Sequence, residues 1–353
     1  MSTISDLSGY HYIVSPCSVW IILAAVAEGA DKHMQQRLFQ FLNLPNDNCV
    51  RKSIYNIATR HLLPEDNVNF SNTRAIVVDQ GVSLNPNWYN FVLKNSLIKV
   101  LSSPIRKYPQ IAANDIRRIM HGALPSLNLK GNSVLLDAFE YSGTWATAFS
   151  DAVVQRAPFY DQYDQRIGAV DLMRLRKRAK ILYIPDINAN ILELPVGANG
   201  LYRVIFALPV NGGNLVNAFD FLKNSALFEM RGKSKESDTP IDVAIPTFTM
   251  TSEIDLRKVL ENIGMADIWT TPSATKFISS PPALPSSFIQ RATVTLSKYG
   301  VYPSPVKQEF SNTPLRHPTV GQRFIADRPF VFGLYDMNYS CLMLSIYSKP
   351  TYD

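Results

Sequence analysis

The sequence predicts an α+β fold in one domain spanning residues 1–353, on three observations. Helical patterns dominate the first 45 residues, recur near 86–97 and 111–124 and return at 254–264, while strand-like runs fill much of the rest. The order is mixed, unlike the regular strand–helix alternation of a doubly wound sheet. The composition, 46% hydrophobic and 18% charged, can bury a sizeable core, and no compositional shift or internal repeat marks a boundary. Residues 300–323, GVYPSPVKQEFSNTPLRHPTVGQR, are polar, contain four prolines and lie between strand-like runs. Connections in compact domains usually take about 4 to 6 residues, so a stretch of this length marks an exposed functional loop.

Residues 19–27 are nine consecutive apolar residues. No Lys or Arg precedes them, and Glu28 and Gly29 close the run as they would a buried helix, so it is not read as a signal peptide. It is far too short to cross a membrane. Residues 111–124 place Ile116, Ile119, Met120 and Ala123 on one face and Arg117, Arg118 and His121 outward, as a helix lying on a sheet requires. Residues 174–180, read as one strand, array Arg174, Arg176, Arg178 and Lys180 on one face, four cations within about 20 Å. With a net charge of +6, that stripe is a candidate site for a sulfated polysaccharide or an acidic protein; the plainer reading is a solvated strand face. Asn211-Gly212-Gly213-Asn214 follows the apolar run 204–210 but lacks the Lys and Ser/Thr of a phosphate loop, and reads as a turn. Residues 292–297 alternate small or apolar with polar side chains as a strand, and residues 330–332 and 341–346 read as continuous buried strands.

Cys17, Cys49 and Cys341 are too few and too scattered for a disulfide framework or a zinc site, and no metal or other cofactor is expected. Cys17, on an apolar helix, reads as a buried thiol and not as a nucleophile. The hydrolase, zinc-protease and phosphate-loop signatures are missing from the sequence, so an enzyme is not expected. Nucleic acid is not an expected partner, because no aromatic interleaving or recognition motif accompanies the charge. Asn69 and Asn338 head two N-x-S sequons and are candidate N-glycosylation sites.

The run Phe324-Ile325-Ala326-Asp327-Arg328-Pro329-Phe330 resembles the Phe-x-Ala-Asp-His-Pro-Phe signature that follows the reactive-centre loop of the serpins. Further landmarks of that family occur in order upstream: Ser15-Pro16-Cys17-Ser18-Val19, Gly29-Ala30, Gln35, Leu135-Leu136-Asp137-Ala138-Phe139, Gly143, Trp145, Val170, Met173, Glu193-Leu194-Pro195, Phe206-Ala207-Leu208-Pro209 and Leu260 to Met265. The resemblance covers about residues 12–350. It implies three β-sheets, about eight or nine helices, a reactive-centre loop at about 301–322, and a first helix truncated or absent, since residues 1–11 are short for it. It further implies a secreted monomer whose signal peptide is not part of this sequence, and whose partner is a protease.

Where inhibitory serpins usually carry Glu-Glu-Gly-Thr followed by alanines, this chain has Lys298-Tyr299-Gly300-Val301-Tyr302-Pro303-Ser304-Pro305. The family mechanism inserts the cleaved loop as a new strand in the main sheet. Pro303 and Pro305 have no N–H to donate, and proline belongs at sheet edges or bulges. Each lost ladder bond with a buried partner costs roughly 1 to 3 kcal/mol. The resemblance also places Asp137 where the family has Asn on the central strand and Gln290 where it has His, a pair that can still hydrogen-bond. Lys298 and Thr247 stand where relatives form a Lys–carboxylate pair, which these two residues cannot make.

Leu315-Arg316-His317 supplies the bait. Papain-like cysteine proteases select chiefly the hydrophobic residue one place before the attacked position, whereas trypsin-like enzymes read the Arg. The expected function is an inhibitor or decoy for a papain-like cysteine protease, similar to insect serpins that act on such enzymes. The alternatives are a conventional inhibitor of a trypsin-like serine protease and a non-inhibitory carrier or structural protein. If the cysteine-protease reading holds, Leu315→Ala raises the inhibition constant more than Arg316→Ala; a trypsin-like target reverses that order, and unchanged inhibition by both variants removes this segment from the mechanism.

Overall fold

The computed structural model describes residues 11–60, 67–122, 127, 129–146, 153–210, 212–223, 235–302, 323–338 and 340–352. Among these are eight α-helices and three main sheets. The helix Pro16–Ala27 is apolar on nearly every side and is accordingly central, with residues 21–27 all buried. Pro16 sits in its first turn, where no intrahelical N–H is needed. In Lys32–Phe41 the Asp31 carboxylate caps the helix by accepting from Met34 N at 3.0 Å, and Met34 and Leu38 face the core. The helix expected over 86–97 is Pro86–Lys94, and the one expected over 254–264 is Leu256–Asn262. The helix expected over 111–124 is Pro109–Ile119 and buries Ala112, Ala113, Ile116 and Met120, whereas Ile119 is only half-buried. Ala123 and residues 1–10, where a truncated or absent first helix was expected, lie outside the described residues.

The main sheet runs in the order Lys99–Ser103, Val68–Asp79, Ser133–Thr144, Gly300–Tyr302, Pro285–Ser297 and Ile241–Asp255. Its last strand is long enough to serve two sheets. Residues 248–255 pair with Pro285–Ser297, while residues 241–247 pair with Arg166–Lys177 and, in parallel, with Arg323–Ile325. Val153–Tyr160 completes that second sheet. The third contains Tyr12–Val14, Cys341–Tyr347, Phe330–Asp336, Tyr202–Pro209, Ala189–Val196 and Lys180–Ile184.

The sheets are held against one another by interlocked aromatics. Phe206, Phe248, Phe330, Phe332 and Tyr347 pack with ring centroids 4.6 to 6.1 Å apart. Phe324 and Phe330 of the C-terminal signature, and Phe332 just after it, are fully buried, which gives that run its structural role. Pro285–Ser297 is buried on both faces, despite the alternation of residues 292–297. Its polar face is satisfied across the sheet, where Thr293 pairs with Thr251 at 3.1 Å and Thr295 with Thr249 at 2.9 Å.

A buried ion pair ties two helices together at one end of the core. Glu28 Oε1 accepts from Arg51 Nε at 2.7 Å and from the Tyr55 hydroxyl at 2.8 Å, and both charged side chains are nearly inaccessible. Removing one partner leaves a buried uncompensated charge. Glu28→Ala is expected to destabilise the fold by about 3 to 5 kcal/mol, read from the urea midpoint. An unchanged midpoint would show that the pair is not dry in solution.

Candidate functional site

The site is the seam between Ser133–Thr144 and Pro285–Ser297 and the chain that leaves the latter. These two strands run parallel in a sheet whose other internal pairings are mostly antiparallel, and they pair directly from Phe288↔Leu135 to Thr293↔Glu140. Above that level they separate, and Gly300–Tyr302 lies between them. It is antiparallel to both, with Leu296↔Val301 and Thr295↔Tyr302 on one side and Val301↔Gly143 on the other.

The turn into the seam is closed by short contacts. Ser297 Oγ donates to Gly300 O at 3.3 Å and accepts from Tyr299 N at 3.2 Å, and Trp145 Nε1 donates to Ser297 O at 2.9 Å. Gly300 has φ of +149°, and a Cβ there would lie 2.1 Å from the Gly143 carbonyl oxygen. Only glycine fits. Val301, 1% exposed, packs into the core between the sheets.

Midway down the same seam, Asp137 and Gln290 stand opposite each other in register. Gln290 Nε2 donates to Asp137 Oδ2 at 2.5 Å and to Ser15 O at 3.2 Å, and its Oε1 accepts from Ser15 N at 3.1 Å. The pair therefore joins both seam strands to the start of the central helix. Burial pushes the Asp137 carboxyl up to about 6, against the opposing pull of Gln290, Ser18 and Arg74. Arg74 was not singled out in the sequence. It is opposite Asp137 on Val68–Asp79, where Nε and Nη2 donate to Leu97 O and Ser96 O. An Arg directly before the apolar run of residues 75–78 was the available signal.

The basic stripe does not form as expected. The strand ends at Lys177, so only Arg174 and Arg176 share its face. Arg178 lies in the connection, and Lys180 begins a strand of another sheet, with Nζ 3.2 Å from Glu193 Oε1. A change of sheet at residues 178–179 interrupts the periodicity that a single strand would carry. Thr247, at the position facing Lys298 in the family comparison, donates its hydroxyl to Asp171 O at 3.1 Å instead. Burial pushes the Cys17 thiol up to about 11, which makes it inert as a nucleophile at neutral pH. Asn214 caps the helix Leu215–Lys223, its Oδ1 accepting from Asn217 N at 2.8 Å, in keeping with the turn expected there. Asn69 and Asn338 are both exposed. Pro303, Pro305, Leu315, Arg316 and His317 lie outside the described residues. Among the described residues there is no metal-binding cluster and no helix long and apolar enough to cross a membrane.

The Serpin (serine protease inhibitor) family profile matches residues 3–350. The chain belongs to the serpin family. Serpins are mostly protease inhibitors, and some are non-inhibitory carriers. This serpin is 24% identical to Antichymotrypsin-2 of Bombyx mori over 92% of the chain and 88% of that protein. It is 25% identical to Serpin B11 of Mus musculus, over 67% of the chain and 62% of that relative's length. Among solved structures, its fold is similar to Serpin-12 of Manduca sexta, with a TM-score of 0.82 at 18% identity, covering 99% of this chain and 96% of that one. Human thyroxine-binding globulin has the same fold, with a TM-score of 0.80 at 16% identity over 99% and 95% of the two chains.

The seated hinge yields a direct test. Gly300→Ala forces both a disfavoured φ and a backbone clash, at a cost of about 1 to 3 kcal/mol. Hydrogen exchange at Val301 and Tyr302 should then accelerate at least fivefold while the six-stranded sheet is unaffected. Unchanged protection in this variant would mean that the hinge is not seated in the seam.

Proposed function

We propose that this serpin displays residues 301–322 as bait for a papain-like cysteine protease and that its loop inserts only partly into the main sheet. The observation that carries this reading is the seat of Gly300–Tyr302, antiparallel to both strands of a parallel seam. A strand added between two parallel neighbours must donate and accept at each residue along its length. The chain is paired on both sides through Val301, Tyr302 pairs with Thr295, and the next residue in sequence, Pro303, has no N–H. Val301 and Tyr302 hold the loop base, while Pro303 and Pro305 oppose deeper insertion, so the bait stays displayed. Leu315 before Arg316 supports a cysteine protease, whose dominant pocket takes the hydrophobic side chain.

A non-inhibitory carrier is the second reading, supported by the same prolines and by the fold shared with thyroxine-binding globulin. A trypsin-like target stands third and rests on Arg316 alone.

Titration with papain-like and trypsin-like proteases separately, followed by SDS gels for a stable adduct, discriminates the three. Cleavage within residues 306–322 is expected to raise the melting temperature only a little. Replacing Val301, Tyr302, Pro303 and Pro305 with Thr, Glu, Ala and Ala should increase that gain, because the missing donors return. A large rise on cleavage of the unmodified protein would overturn limited insertion and favour covalent trapping of a serine protease.

A further inference from the structure

The contact between Gln290 and Asp137 crosses the seam that must part if more of the loop is to enter, and the groups around it are unevenly matched. On one side, Arg74 spends Nε and Nη2 on the carbonyls of Leu97 and Ser96, leaving Nη1 buried without a hydrogen bond. Asp137 Oδ1 makes no hydrogen bond of good geometry, although the Ser18 hydroxyl lies beside the carboxylate. Asn72 donates to Ser18 Oγ, and its own Oδ1 is buried without a partner. Four elements meet here: Val68–Asp79 contributes Asn72 and Arg74, Ser133–Thr144 contributes Asp137, Pro285–Ser297 contributes Gln290, and Pro16–Ala27 contributes Cys17 and Ser18. Asp336, on Phe330–Asp336, also acts on Cys17 through its charge.

We propose that Arg74, Asp137 and Gln290 form a pH-set latch on the seam, tight when Asp137 is protonated and looser when it is charged. This deepens the inhibitor reading, since it assigns a control to the opening through which the loop would pass.

Only one member of the latch changes charge in the acid to neutral range. Arg74 stays protonated, and the Cys17 thiol, pushed up to about 11, stays neutral. The closed seam raises the Asp137 carboxyl to about 6, from 3.8 in water. Opening admits water and returns it toward the ordinary value. The closed state thus binds a proton that the open state releases. The closed seam gains relative stability as pH falls through 6, the gain being complete below 3.8, and it loses that stability as pH rises again. Above 6 both states carry the charge and the dependence levels off. A difference of about two pKa units corresponds to a change in the opening equilibrium of roughly ten- to a hundred-fold.

Hydrogen exchange on the full chain without protease tests the latch between pH 4 and 7.5, with rates corrected for intrinsic chemistry. Protection of Ser133–Thr144 and Pro285–Ser297 should fall ten- to a hundred-fold from pH 4 to 6 and then level, with no such step in Phe330–Asp336 or Cys341–Tyr347. Asp137→Asn should abolish the step and leave the seam at pH 7 protected as wild type is at pH 4. Arg74→Gln, which removes the counter-ion, should move the step to higher pH. Flat protection in the wild type overturns the latch, as does a step retained by Asp137→Asn. Should Asp137→Asn not fold, a step left unmoved by Arg74→Gln overturns it instead. Exchange is read without protease, so loss of the latch and failure to inhibit any protease are separate outcomes.

Discussion

Backbone hydrogen bonding along the seam between Ser133–Thr144 and Pro285–Ser297 constrains the rest of the molecule. Both strands are buried, so each N–H and C=O along them needs a partner, and an opened seam has none to offer except water or another strand. Below Thr293 the two strands satisfy each other, and above it Gly300–Tyr302 takes over. The seam is therefore a slot that selects for extended chain with a donor at each residue. Gly300 permits the sharp turn into the slot, and the proline that follows Tyr302 in sequence is the residue least suited to prolonging it.

The same dryness sets the electrostatics. A carboxylate at Asp137 gains from Gln290, Ser18 and Arg74, yet loss of water outweighs all three and raises its proton affinity. A neutral amide there would hydrogen-bond without that cost. Because Gln290 also grips both backbone groups of Ser15, a change at Asp137 reaches the start of the helix Pro16–Ala27 as well as the two strands. The seam, the helix and the charge act as one mechanical unit.

Much of the frame was legible in the sequence because it is local. The apolar run 19–27 forces a central helix, the buried aromatics around residue 330 form a strand in the core, and the Gly-Gly-Asn stretch before residue 215 reads as a turn. Asp137 and Gln290 were legible as a pair only through family resemblance, since 153 residues separate them. The reading of residues 174–180 as one strand failed because a break of two residues sends Lys180 into a different sheet, and nothing in the charge pattern records that break.

The amino-acid sequence by itself determined the mixed α+β class, the lack of N–H donors at Pro303 and Pro305 and the adjacency of Leu315 to Arg316, because each is a property of neighbouring residues or of a single side chain. Tertiary structure alone decided that Gly300–Tyr302 sits in the seam, that Arg74 faces Asp137, and that the carboxyl there is stripped of water. Those outcomes depend on which strands pair and how deeply they are buried. Local periodicity says which side of a strand faces inward, but not which strand will lie beside it.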